Sequence, residues 1–526
     1  MKKTMKQYSF ASQLKSLAVV FGIALTFASC AKEDVAQNPT NKEGDNDKNL
    51  TTFIAGDEAK TRTSLDYNSS DFYWEAGDYI YVKDDDGVLQ KSTNAPTQKV
   101  AAFKYKVPGK FTDHSSYEVY YFGKNTSNNQ VIIPSAQSQS TPNNTEHFGV
   151  SGDYGTATAT GILGGKSFSF ELEHQAAYLV FHPYVSNTLL QNCYLTKIEV
   201  SSDNDIASTY TLNASTGTLQ SVSTGAAADK EIILSTKGSG TYANGFPLNT
   251  ATDNVAINGA YMVIKPGTHT LKVRYWLKDV STGIEGTITK AFKAFTYSEN
   301  SYYDIDGNLN IRDYDGDHYY MWDAQDQYWK GYEWNLGGSQ PTIENNSSSD
   351  YAKSNTDSRY YNVSYPGYGV SNSATHSSFN NVPNANEMTW YAAAGEPRWD
   401  ADELWATMGH LYKGGMWFKK KANISGFNSN TGYDGNDWRT TAYIKGWPVS
   451  HTLPSAAEAG NYFYLPALGF YSFGRLYGVG NYGYYWSSSA SPWNLALAYN
   501  LSFERNSVSV YNYSSRFSGF RAEALQ

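Results

Sequence analysis

Apolar side chains that alternate with polar ones commit a chain to half-buried β-strands, and this sequence returns to that pattern along most of its length. Leu271, Val273, Tyr275 and Leu277 alternate with Lys272, Arg274, Trp276 and Lys278, predicting one buried face and one wetter face. Phe168, Phe170 and Leu172 alternate in the same way, as do Leu495, Leu497, Tyr499, Leu501 and Phe503. Shorter strand-like runs stand at 51–55, 78–82, 117–122, 131–133 and 302–309. Asp84-Asp85-Asp86-Gly87, Asn213 to Gly217 and Lys265-Pro266-Gly267 supply turns between them. Many short strands with turns at such spacing predict sandwiches or barrels.

Nothing staples these strands. The chain has two cysteines, Cys30 and Cys193, so stability must come from packed cores, and zinc sites built on cysteines are excluded. A net charge of -9 without any basic cluster argues against nucleic acid and anionic lipid as partners. The 44 tyrosines and only 17% charged residues suit two-sided β structure and polar contact surfaces.

The N-terminus is an export signal. Lys2, Lys3, Lys6 and Lys15 precede an apolar run from Leu17 to Phe27, too short to span a bilayer with ease. Phe27-Ala28-Ser29-Cys30 resembles a bacterial lipobox, in which the cysteine is acylated and becomes the new N-terminus. Two or three acyl chains anchor a protein stably where one holds it marginally. The acidic Ala31-Lys32-Glu33-Asp34 resembles the signal that sends lipoproteins of the Bacteroides group to the outer face of the outer membrane.

The predicted organisation is a signal peptide over 1–30, a polar tether over 31–50, a first β-sandwich over 51–165, a second over 166–312, and a different module over 313–526. Eleven of the 13 tryptophans lie between Trp322 and Trp493, and helix signals first appear there. Pro383-Asn384-Ala385-Asn386-Glu387 opens a helix carrying Met388, Tyr391 and Ala392, stopped by Gly395. Asp400-Ala401-Asp402-Glu403 and Ser455 to Glu458 have the spacing of further helix starts. Residues 338–385 read as a long, nearly featureless loop.

Residues 51–82 resemble the opening of the fimbrillin-like proteins of the Bacteroides group, through a first strand, Lys60-Thr61-Arg62-Thr63 and Trp74-Glu75-Ala76-Gly77-Asp78. Phe170-Glu171-Leu172-Glu173-His174-Gln175-Ala176-Ala177 is similar to that family's Phe-x-Leu-x-His-x-x-Ala element. The resemblance covers roughly residues 50 to 312. It implies that the first strand, Thr51, Thr52, Phe53, Ile54 and Ala55, fills its own groove until a protease cuts between Arg62 and Thr63. A strand from another pilus subunit then takes the vacated place.

The last third resembles the Fibrobacter paralogous domain, through Asn386-Glu387-Met388-Thr389-Trp390-Tyr391, Tyr464-Leu465-Pro466-Ala467-Leu468-Gly469, Tyr485-Trp486-Ser487-Ser488-Ser489 and Gly519-Phe520-Arg521. That resemblance implies an α+β, C-type-lectin-like domain. The fold class expected is therefore mostly β: two fimbrillin-type sandwiches followed by this domain.

Catalysis is not expected. The nine histidines are scattered, there is no His-Glu-x-x-His or Gly-x-Ser-x-Gly, and the C-terminal third lacks the cysteines that formylglycine-generating chemistry uses. His174 reads as a structural histidine. No cofactor or metal is expected: Asp84-Asp85-Asp86-Gly87 and Asp313-Tyr314-Asp315-Gly316-Asp317 read as Asp/Gly turns without EF-hand spacing. Trp390, Trp417 and Trp486 read as core residues. Trp493 and Asn494, in a loop after Pro492, are the candidate ligand-binding pair, for a glycan or a protein.

These features predict a structural and adhesive subunit of a surface pilus. The terminal 517–526 segment reads as the last strand of its own domain, which implies a tip position. Two rivals remain: a non-polymerising surface lipoprotein that captures glycans, and a pilus anchor that keeps its lipid. Replacing Cys30 by Ala should abolish acyl labelling and leave unprocessed precursor; continued labelling would contradict the lipobox.

Overall fold

The computed structural model describes residues 6–9, 49–56, 64–67, 71–124, 129–213, 216–222 and 225–526. They form a mostly β chain in two compact units. The first comprises Met1–Ser186, Tyr194–Tyr275 and Phe292–Leu309; the second comprises Asn187–Cys193, Trp276–Ala291 and Asn310–Gln526.

In the first unit, Leu50–Ala55 buries Thr51, Phe53 and Ala55 and leaves Leu50, Thr52 and Ile54 half-buried, as a period of two requires. It lies inside a sheet of order Leu89–Lys91, Tyr81–Lys83, Ser116–Tyr121, Gly155–Gly161, Ser167–Phe170, Leu50–Ala55, Phe103–Pro108. Phe53, Trp74, Tyr105, Tyr117, Phe168 and Phe170 share one core. This moves the boundary read at 165/166. Ser167–Phe170 is a strand of the first sheet, because its alternating phenylalanines complete the core that Phe53 begins.

A second sheet centres on Ala177–Tyr184, paired in parallel with Ser301–Asn308 and antiparallel with Ala260–Ile264. Every residue of Ala260–Ile264 is buried, which accounts for its unbroken apolar run. On its other side Ser301–Asn308 pairs antiparallel with Lys6–Ser9. The Leu271–Asp279 strand differs from its two-faced pattern: Lys272 and Arg274 are buried, and half-exposed positions begin only at Trp276.

In the second unit the main sheet runs Tyr319–Tyr320, Phe520–Arg521, Gly483–Ala490, Leu497–Glu504, Ser507–Ser515, Lys445–Pro448. Arg398–Thr407, His410–Lys419 and Tyr462–Pro466 pair in sequence order. The Ala385–Ala394 helix begins with a capping box: Asn384 Oδ1 accepts from the Glu387 N–H at 3.1 Å, and Glu387 Oε2 accepts from the Asn384 N–H at 2.8 Å. Met388, Tyr391 and Ala392 are buried, and Gly395 ends the helix, as its sequence predicts.

The other two helix starts are strand and turn. Asp400 does accept from the N–H groups of Asp402 and Glu403, but inside Arg398–Thr407, where the register with His410–Lys419 shifts between Asp400 and Leu404. An aspartate capping local N–H groups serves a β-bulge as well as a helix. Ser455 Oγ donates to Glu458 Oε2 at 2.8 Å, yet only a short 3-10 turn, Ala459–Asn461, follows.

Residues 338–385 lack long regular elements but are tightly held. The Asp323 carboxylate, fully buried, accepts from Asn362 Nδ2 at 2.7 Å, from the Thr375 N–H at 2.9 Å and from the His376 N–H at 2.8 Å. Arg516, equally buried, stacks 4.3 Å over Trp322 and donates to the carbonyls of Leu497, Asn362 and Ser364. Burial pulls its guanidinium down to about 10. Asp323→Ala strands several buried donors at once, so it should destabilise this unit by about 3 kcal/mol. Thermal unfolding followed by tryptophan fluorescence reads this, since most of the tryptophans lie here.

Candidate functional site

Phe53 sits in a cage of rings, 5.1 Å from Phe111 and 5.4 Å from Phe168, with Tyr117 at 6.5 Å. Its strand pairs on both sides, Phe53 opposite Phe168 in parallel and opposite Tyr105 antiparallel. Removing such a strand exposes two rows of backbone N–H and C=O groups together with the aromatic pocket. Only another extended segment satisfies both. The five residues Thr51 to Ala55 lie together on this one doubly paired strand. Cys30, Arg62 and Thr63 lie outside the described residues.

Just downstream of them, Tyr67 is described. Its hydroxyl donates to Asp304 Oδ1 at 3.1 Å, and its ring lies 5.2 Å from His182 and 5.8 Å from Tyr302. His182, buried on Ala177–Tyr184, reaches Asp304 through Nε2 at 2.8 Å and Asp253 through Nδ1 at 3.0 Å. Burial opposes its charge, but the hydrogen bond to Asp304 and the charges of Asp304 and Asp253 outweigh it, so its pKa is raised. Tyr67 is thus fastened to the second sheet.

His174 is buried, with Nδ1 2.8 Å from Asp153 Oδ1 and Phe72 stacked on its ring at 4.2 Å, an arrangement suited to structure. The Cys193 thiol, buried, is pushed up to about 12 and so stays protonated. Asp84 closes its turn by accepting from the N–H groups of Asp86 and Val88. Asp85 binds the N–H groups of Thr112 and Asp113 and the Tyr117 hydroxyl. Among the described residues no cluster of three or more His, Cys, Asp or Glu could hold a metal ion, and no helix is long and apolar enough to cross a membrane.

In the second unit Trp486 is fully buried, whereas Trp390 and Trp417 are half-buried. Trp493 is 45% exposed, with Tyr368 edge-on at 5.5 Å and Tyr365 a further 6.0 Å from Tyr368. Asn494, exposed beside it, accepts from the Ala496 N–H through Oδ1 in the local turn. Sequence reasoning missed a second aromatic face. Tyr482, Tyr484, Tyr511 and Tyr513 line a recess of about 330 Å³ with Ser502 and Glu504. The signal was present: two Tyr-x-Tyr pairs stand at the period that puts side chains on one face of a sheet.

No family model and no curated protein matches the chain. Among solved structures it is similar to a candidate cell-adhesion protein from Bacteroides ovatus, with 13% identity and a TM-score of 0.31, covering 49% of this chain and 93% of that one. A fimbrial protein from the same species gives 11% identity and a TM-score of 0.23, covering 90% of this chain and 98% of that one. The fimbrial anchor protein of Porphyromonas gingivalis gives 13% and 0.22, covering 46% and 82%.

A raised folded pKa means that the His182 pairs stabilise fully below the unfolded value of about 6.5 and lose that contribution as pH climbs through the folded value. The melting-temperature gap between the native protein and His182→Gln should therefore be widest near about pH 6 and narrow by about pH 8. A gap that widened with pH would contradict this.

Proposed function

We propose that this protein is a non-catalytic structural and adhesive subunit of a surface fimbrium, exported as an outer-membrane lipoprotein. On this reading it is assembled when cleavage between Arg62 and Thr63 lets another subunit's strand replace Leu50–Ala55. The observation that carries it is the position of that strand: paired on both edges, plugged by Phe53, and followed by the polar stretch that contains Arg62. Removal of the export signal at Cys30 would also take away Lys6–Ser9 and free the outer edge of Ser301–Asn308. Each of these two sheets would then offer a strand-accepting edge. An incoming strand would need an aromatic residue at the Phe53 position and small or β-branched residues two places to either side.

The second unit, C-type-lectin-like in its sequence motifs, would serve for display. A binding face is of most use at the exposed end of a fibre, which favours the tip. The tethered first strand competes with any incoming one at an effective concentration of about a millimolar or more. Cutting the tether removes that advantage, and the strand is then held only by non-covalent contacts.

With Arg62→Ala the protein should fold, reach the surface and retain its lipid at Cys30, yet fail to enter any fibre. Immunogold labelling of fibres and mass spectrometry of the mature N-terminus read both outcomes. Normal incorporation of the uncut variant would exclude strand replacement and favour a lipid-retaining anchor.

A further inference from the structure

We propose that the tyrosine face formed by Tyr482, Tyr484, Tyr511 and Tyr513 is a binding site for a neutral saccharide. This deepens the adhesive role and rests on it. The face is the outer side of the sheet whose inner side supplies Tyr485, Leu501, Phe503, Val508 and Val510 to the core. Tyr484 stands opposite Ser502, Ser502 opposite Ser509, and Glu504 opposite Ser507, so aromatic rings, hydroxyls and one carboxylate share a single surface.

The platform is rigid where it meets the core and open where a ligand would enter. Phe470 and Phe520 each hold the Tyr484 ring at 4.8 Å, and Tyr482 lies 6.4 Å from it. Tyr482, Tyr511 and Tyr513 are exposed, at 41, 37 and 60%. Among the described residues none of their three hydroxyls has a hydrogen-bond partner. A volume near 330 Å³ falls at the lower end of ligand sites, which span about 300–1,000 Å³.

The chemistry selects the occupant. A tyrosine ring offers a flat apolar face that covers the C–H face of a pyranose, while its hydroxyl donates and accepts at the edge. Fixing such a ring costs little conformational entropy. The serines extend the hydroxyl-matching rim, and Glu504, which accepts from Ser507 Oγ at 3.2 Å, can accept from sugar hydroxyls as well. Glu504 is the one charged side chain in the lining; no lysine or arginine is there to neutralise a sulfate, a phosphate or a sugar acid. An uncharged oligosaccharide satisfies every group on the face.

The test uses the full mature protein with cellotriose, maltotriose, N-acetylglucosamine trisaccharide and a sulfated trisaccharide at millimolar concentration, read by saturation-transfer NMR and calorimetry. At least one neutral sugar should bind. Tyr511→Ala with Tyr513→Ala should weaken it at least about tenfold, and Glu504→Gln should weaken it less. Circular dichroism and melting temperature confirm that the variants fold, which the exposure of both tyrosines favours. Binding of none of the neutral sugars, binding of the sulfated one alone, or binding that survives loss of both tyrosines would each overturn the proposal. Loss on Trp493→Ala alone would move the ligand to the Trp493–Tyr368 cluster and overturn it too. Fibre incorporation of the same variants is scored separately: a protein that binds sugar through these tyrosines but enters no fibre keeps this site and refutes the fimbrial role.

Discussion

A buried carbonyl that no ladder satisfies must find another donor, and in the second unit aromatic side chains supply several of them. Trp322 Nε1 donates to the Ser487 carbonyl, and Trp486 Nε1 to that of Tyr320. The hydroxyls of Tyr319, Tyr485, Tyr471 and Tyr499 donate to the carbonyls of Leu468, Pro466, Pro341 and Thr441. Each ring fills core volume while its polar tip satisfies an acceptor that would otherwise be desolvated and bare. Burial also pushes these phenols up, well beyond any range in which they would ionise. Asp323 and Arg516 do for loop N–H and C=O groups what the rings cannot, supplying several bonds from one buried point. Tyrosine and tryptophan thus serve this core twice, as volume and as donors to buried carbonyls.

The first unit solves the same problem with ladders. Its strands pair along their length, and its aromatic residues pack chiefly on one another, as Phe53, Phe111, Tyr117 and Phe168 do. A ladder leaves a definite gap when one strand goes, whereas a network of loop staples leaves scattered vacancies.

The strands and the capped helix were legible because each depends on a local period: two for Leu50–Ala55 and Leu497–Glu504, and Asn384 with Glu387 for the helix. What stayed hidden depends on partners distant in sequence. Asp400 looks the same at a helix start and at a bulge until His410–Lys419 pairs beside it. Phe168 and Phe170 carry the right alternation in either sheet, and only Phe53 decides which. The stretch 338–385 seemed featureless because its order comes from Asp323 and Arg516, far outside it. At the candidate site the Leu50–Ala55 strand was readable from its alternation, and Trp493 and Asn494 both lie exposed in the loop their sequence suggested. The tyrosine face escaped notice because Tyr484, Tyr511 and Tyr513 come from two strands brought together by a third, with Tyr482 just ahead of the first.

The parallel pairing of Leu50–Ala55 with Ser167–Phe170 carries a consequence for biogenesis. The plug is the first strand of its sheet to be synthesised, but its neighbours on either side, Phe103–Pro108 and Ser167–Phe170, follow much later. Contacts of such long sequence separation form slowly, because loop closure must precede the gain from pairing. A nascent chain of this topology cannot close its first sheet until Ser167–Phe170 has been synthesised, so one row of backbone groups on the first strand stays unpaired for most of the synthesis of this sheet.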